Sequence, residues 1–283
     1  MPELPEVEIT ARRVGAAVVG SVVESALAPG MVTMKTFDPP LDSLSGRTIT
    51  GVSRRGKMPV VEFDGELGLL IHLMSAGRLQ VFDKRASLRD KASRLLIRLP
   101  EERELRLREF GTQQRAWAKL LPLSDVDSDD AVATLGPEAL PVPSVEELGS
   151  LVRVPRHLHP LLRDQRVISG IGRTWVDEIL WTAKLSPFQQ GNDLDDDALA
   201  RLHDAIGSVL SGALEHYENV VGDSLPDKAP MPLQVHRKQG VPCPRCETKL
   251  EAVHFKDYVM TYCPTEQTGG RVLKDRRLSR LLK

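Results

Sequence analysis

The chain has 283 residues, 41% apolar and 27% charged, which supplies a substantial core and excludes a mainly disordered protein. No run of about 18 uncharged apolar residues is present to span a bilayer, and no basic-then-apolar leader opens the chain, so the expectation is a cytoplasmic protein with no membrane partner. Lys and Arg number 38 against 39 Asp and Glu, a net charge of −1, so total charge alone makes no case for a polyanionic partner.

In chain order, Glu3 to Gly20 places Val7, Ile9, Val14, Ala17 and Val18 among charges behind Pro2 and Pro5, which predicts a short opening helix. The period then changes. Thr48–Ser53, Pro59–Phe63, Leu67–Leu73, Arg94–Leu99 and Glu104–Arg108 are short, apolar or alternating, and bounded by turn residues, so residues 1–122 read as an all-β domain with a leading helix. Residues 123–143 read as a linker, with the acidic cluster Asp125, Asp127, Asp129 and Asp130 followed by Gly136-Pro137, Pro141 and Pro143. Ser144-Val-Glu-Glu147 has capping-box spacing and opens an α-helical region, 144–232, with long helical stretches over Val167–Leu185 and Leu194–Tyr217. Residues 233–283 read as a hairpin with a basic tail, since Gln234–Lys283 carries eleven Lys/Arg against five Asp/Glu.

The three cysteines all fall in this last region. Cys243-Pro-Arg-Cys246, sixteen intervening residues and Cys263 match the first three ligands of a C-x2-C-x16-C-x2-C zinc ribbon. The fourth position is Glu266, whose carboxylate can ligate Zn2+, and His254 is a second candidate; a metal-free hairpin with three reduced thiols stays open. Gln165 to Gly172 delivers a helix starting near Thr174, where small residues admit close backbone approach to a phosphate or serve plain packing. At the other end, removal of Met1 leaves Pro2 with a free secondary amine, a nucleophile that forms an iminium with an aldehyde, and Glu3 beside it is a candidate proton donor. The same residues also suit an ordinary helix start.

Pro2-Glu-Leu-Pro-Glu-Val-Glu8 resembles the N-terminal signature of the formamidopyrimidine-DNA glycosylase and endonuclease VIII family. Further matches run in order along nearly the whole chain: Arg54-Arg-Gly-Lys57, His72-Leu73 with Gly77-Arg78-Leu79, Arg108-Glu-Phe-Gly111, Leu135-Gly-Pro-Glu138, Asp164-Gln-Arg-Val167, Gly170-Ile-Gly172, Asp177-Glu178 and the cysteine finger. The resemblance implies a multidomain α and β protein with an N-terminal β-sandwich, a helix-two-turn-helix domain and a C-terminal zinc-ribbon β-hairpin. It also implies a monomeric base-excision repair enzyme acting on damaged double-stranded DNA, nucleoid-associated in a bacterium. The resemblance implies further that the damaged nucleotide is flipped out, that Pro2 attacks the sugar C1′ with Glu3 protonating the leaving base, and that Lys57 contacts phosphate and assists strand cleavage by elimination. Glu6 orders the site or caps the helix.

Several positions depart from the family pattern and identify a divergent member. The arginine at the finger tip is replaced by Tyr258, with Lys256 as a substitute charge lacking the bidentate fork. Arg108 and Phe110 keep the spacing of the void-filling wedge and Met74 is the candidate third residue, but Glu109 between them reverses a usual positive charge. His159 and Arg173 stand where the helix-two-turn-helix motif has other phosphate donors. The short connection from Tyr217 to Val235 argues against 8-oxoguanine as substrate. Glu109, Tyr258 and Glu266 together motivate an alternative, a lesion-binding protein whose catalysis has decayed on the same scaffold.

Overall fold

The computed structural model describes residues 2–30, 32–111, 113–255 and 258–273. The chain forms two compact units: Met1–Thr134 with Leu214–Pro230, and Leu135–Ala213 with Met231–Lys283.

In the first unit helix α1 spans Leu4–Val18, and its spaced apolar residues Leu4, Val7, Val14 and Val18 are buried. Eight strands follow: β1 Ser25–Leu27, β2 Ile49–Arg55, β3 Met58–Phe63, β4 Leu67–His72, β5 Gly77–Phe82, β6 Ser93–Arg98, β7 Glu104–Glu109 and β8 Trp117–Pro122. They make two antiparallel four-stranded sheets, ordered β1-β6-β7-β5 and β2-β3-β4-β8. One core joins them, with Val61, Leu69, Ile71, Ala118 and Leu120 from one sheet and Leu79, Leu95, Ile97, Leu105 and Leu107 from the other. Each such Leu, Ile or Val contributes about 1.5–3 kcal/mol through burial. Helix α1 packs on β2, β3 and β5. The acidic stretch after β8 is not a solvated spacer: Asp129 pairs with Lys119 at 2.7 Å and caps α2 (Asp130–Ala133) by accepting from the Ala131 amide.

The second unit contains α3 Val145–Val152, α4 Leu158–Leu162, α5 Trp175–Thr182 and most of α6 Asp196–Val220, then β9 Glu251–His254, β10 Val259–Tyr262 and α7 Pro264–Thr268. Ser144 Oγ accepts from the Glu147 amide at 3.2 Å, the start that the sequence predicts for α3. The stretch Val167–Leu185 expected as helix is helical only as α5. Gln165 explains the difference: its Oε1 accepts from the Gly170 amide and its Nε2 donates to the carbonyls of Arg163 and Ile171, so a side chain replaces the helical ladder. Gly170 sits at φ +103°, in the left-handed region where glycine is favoured. Gly136, from the Leu135-Gly-Pro-Glu138 match, lies so close to the Val167 carbonyl that a Cβ would meet it at 2.5 Å. Strands β9 and β10 pair from Val259↔His254 to Tyr262↔Glu251 and carry the finger hairpin. No helix among the described residues is long and apolar enough to cross a membrane.

Candidate active site

In the first unit the start of α1 is built around two carboxylates. Glu3 and Glu6 form a reciprocal capping box: the Glu6 amide donates to the Glu3 side chain, and the Glu3 amide donates to Glu6 Oε2 at 2.9 Å. Glu3 is 1% exposed, whereas Pro2 ahead of it is half-buried. The second oxygen of Glu6, Oε1, accepts from the Tyr217 hydroxyl at 2.6 Å. Burial, followed by the negative charge of Glu6, the hydrogen bond to it and the charge of Glu3, pushes the Tyr217 phenol far above its ordinary range, so its proton stays and points at Glu6. Tyr217 is absent from the sequence-derived candidates, because no local motif joins it to a residue 211 positions away.

Lys57 stands in the turn from β2 to β3. Arg54 stiffens that turn, donating to Glu8 Oε2 of α1 at 2.7 Å and to the Gly56 carbonyl at 3.2 Å, while Gly56 takes φ +56°. Glu8 is held below its ordinary pKa: burial opposes the shift, but hydrogen bonds and charge from Arg54 and Arg12 outweigh it. His72, at the end of β4, is also lowered, by burial first and then by the positive charge of Lys57. Its Nδ1 accepts from the Met74 amide at 3.0 Å and its ring stacks on Trp117. Met74 occupies the turn after β4 at φ +50° and is half-buried.

Arg108 and Phe110 are brought together, with the guanidinium 4.7 Å from the ring centroid, and Arg108 Nη1 donates to Asp227 at 3.1 Å. Glu109 between them does not project beside these two. It is 2% exposed, and its Oε2 accepts from the Ala116 amide at 2.8 Å, so it ties β7 to the segment before β8. The reversed charge at this position is therefore turned inward and satisfied by the Ala116 amide.

In the second unit His159 requires a correction. It is 1% exposed, its Nε2 pairs with Asp177 Oδ1 at 3.2 Å, and burial lowers its pKa, so it is an internal neutral group and not a phosphate donor on the surface. Asp177 Oδ2 holds His236 Nδ1 at 2.6 Å and accepts from the Thr261 amide at 3.1 Å. Glu178 next to it accepts from three successive amides, Gln234, Val235 and His236, at 2.8, 3.0 and 2.7 Å. The Asp177-Glu178 pair therefore fastens α5 to the strand and connection of the finger. Tyr258 stacks between His159 and Phe255, and Arg163 and Arg173 lie 4.1 and 5.4 Å from its ring centroid. Lys256 lies outside the described residues.

The Sγ atoms of Cys243, Cys246 and Cys263 lie within 4.8 Å of one another. Burial pushes the Cys263 thiol up to about 12; at Cys243 burial works the same way, but donors from the Arg245 amide, the Trp181 indole and the Cys246 amide bring it down to about 7. Three soft donors at this separation suit three vertices of a tetrahedral zinc site. Glu266 does not join them: its Oε2 faces Arg245 Nη2 at 3.2 Å and Lys184 Nζ at 3.3 Å. Arg245 in turn lies 3.8 Å over the Trp181 ring, which fixes the guanidinium that holds Glu266. His254 is exposed and contacts Gln239. Among the described residues the donor set is thus three thiols, with the Glu266 carboxylate engaged elsewhere.

Two family models match, the formamidopyrimidine-DNA glycosylase N-terminal domain over residues 1–113 and the formamidopyrimidine-DNA glycosylase H2TH domain over residues 135–224. A formamidopyrimidine-DNA glycosylase of Roseiflexus sp. is 34% identical over 280 residues, covering 93% of this chain and 98% of that protein. An uncharacterized formamidopyrimidine-DNA glycosylase-like protein of Mycobacterium tuberculosis is 42% identical over 149 residues, 53% of this chain and 94% of its own length. Among solved structures, Lactococcus lactis Fpg in complex with abasic-site DNA has a TM-score of 0.84 and 27% identity, covering 94% of this chain and 99% of that one. With the two sheets, the helical unit and the cysteine hairpin arranged as described, these similarities make the chain a member of the formamidopyrimidine-DNA glycosylase family.

Proposed function

We propose that this protein is a bifunctional DNA glycosylase and abasic-site lyase that binds damaged double-stranded DNA and excises an oxidised or ring-opened base. The observation that carries the reading is the start of α1, where Glu3 is buried and hydrogen-bonded in register with Glu6 directly behind Pro2. Once Met1 is removed, the Pro2 nitrogen attacks C1′ of the flipped nucleotide, the glycosidic bond breaks, and the base leaves with the bonding electrons and a proton from Glu3. Cleavage of the C1′–O4′ bond, with the Pro2 N–H proton passing to O4′ as the ring opens, then gives an iminium between Pro2 and C1′. This acidifies C2′, so a base removes a C2′ proton and the 3′ phosphate departs by β-elimination; water afterwards hydrolyses the iminium and frees Pro2. Lys57 contributes its ammonium at the phosphate from a turn stiffened by Arg54. Arg108, Phe110 and Met74 fill the gap left by the flipped nucleotide, and Arg173 contacts backbone phosphate. Cys243, Cys246 and Cys263 hold zinc, which supplies a structural cross-link for the hairpin and takes no part in bond cleavage.

A non-catalytic lesion-binding protein is the second reading, favoured by Tyr258 in the position of the finger arginine and by the ion-paired Glu266. Borohydride trapping on a duplex with one abasic site separates the two. The wild-type protein forms a covalent adduct that Pro2→Gly weakens strongly; binding without any adduct supports the second reading.

A further inference from the structure

The last turns of α6 belong to the first unit and are bolted to α1. Arg12 and Arg13 pair with Glu218 at 2.8 and 2.7 Å, and Arg13 also donates to the Glu218 and Val221 carbonyls. Tyr217, 0% exposed, immediately precedes the anchoring Glu218 and places its hydroxyl on Glu6 Oε1. Glu6 is consequently bidentate in a specific sense. One oxygen accepts from the phenol, and the other accepts from the amide of Glu3.

That amide belongs to the peptide linking Pro2 to Glu3. A peptide unit is planar, so fixing its N–H fixes the plane that also contains the Pro2 carbonyl carbon and Cα. One soft torsion, ψ of Pro2, then separates the held plane from the pyrrolidine nitrogen. A rotation of the Glu6 carboxylate releases the plane and with it the direction of the amine. Near-attack geometry is sensitive to displacements of this size. We infer that Tyr217 is a positioning residue for the N-terminal nucleophile, acting through Glu6 and the Pro2–Glu3 peptide without touching the substrate. The phenol suits this task because it is a rigid, buried, permanent donor, delivered by a helix that ion pairs hold against α1.

This inference rests on the reading of Pro2 as nucleophile, and its test separates the two. Tyr217→Phe keeps the ring and removes only the hydroxyl. The expected result is borohydride-trappable adduct formation slowed about tenfold at saturating abasic DNA, with affinity for a duplex carrying the unreactive tetrahydrofuran abasic analogue changed less than about twofold. Because the effect passes through Glu6, the double variant Tyr217→Phe/Glu6→Gln is no slower than Glu6→Gln alone. Hydrogen exchange at the Glu3 amide accelerates in Tyr217→Phe with or without DNA. Wild-type adduct rates in Tyr217→Phe, equal losses in rate and affinity, or additive losses in the double variant would overturn the inference. If the wild-type protein forms no adduct, the proposed chemistry fails; unchanged Glu3 amide exchange in Tyr217→Phe then also refutes the positioning role.

Discussion

At the scale of single residues, the chemistry depends on which carboxylate does what. Glu3 is buried and engaged in the capping box, whereas Glu6 bridges the Glu3 amide and the Tyr217 hydroxyl. Glu3→Gln keeps the shape and removes the acid. Base release from a formamidopyrimidine duplex should therefore fall by about 10²–10⁴, while cleavage of a preformed abasic site falls much less; equal losses in both assays argue against Glu3 as the acid. Pro2, Glu3 and Lys57 are candidates because short motifs carry them. The placement of Glu109 and His159 was not legible: sequence gives their charge and spacing but not their burial, and the structure turns one onto Ala116 and the other onto Asp177. Tyr217 had no sequence signal, since its partner Glu6 lies 211 positions away along the chain.

At the scale of elements, the apolar pattern located α1 by its buried face and five strands as short apolar runs between turns, and the capping box marked the start of α3. It overextended the helix around α5, where the Gln165 side chain satisfies backbone groups that a period cannot reveal. The Asp177-Glu178 pair ties α5 to the finger and the connection before it through His236, Thr261 and three amides, and to α4 through His159. Burial depresses the pKa of His159, so the unfolded chain takes up a proton that the folded state resists. Stability on this account is retained above the unfolded histidine value of about 6.5 and declines as pH falls below it. Urea midpoints measured from pH 7.5 to 5 should fall for the wild type. His159→Gln should flatten this dependence by up to about 1.4 kcal/mol per pH unit, and parallel curves count against the assignment. For the finger, Glu266→Cys replaces an ion-paired carboxylate with a fourth thiolate and should tighten zinc by tenfold or more in a competition titration with a chromophoric chelator. Unchanged affinity contradicts the three-thiol reading of the site.

At the scale of the whole molecule, a linear segmentation cannot represent a helix such as α6, which begins in one compact unit and ends in the other. The all-β region, the helical region and the hairpin were legible as changes of period and composition along the chain, and the sandwich arrangement only through the family resemblance. The return of 214–230 to the first unit was not, because it depends on Arg12, Arg13 and Tyr217 meeting partners distant in sequence. The catalytic account converges on one covalent bond between a processed chain end and deoxyribose. Peptide mapping by mass spectrometry of the borohydride-trapped wild-type adduct tests it most directly. The account predicts the sugar on the tryptic peptide running from Pro2 to Arg12, attached at the proline nitrogen; an adduct mapped to Lys57 or another internal lysine, or active protein that retains Met1, would contradict it.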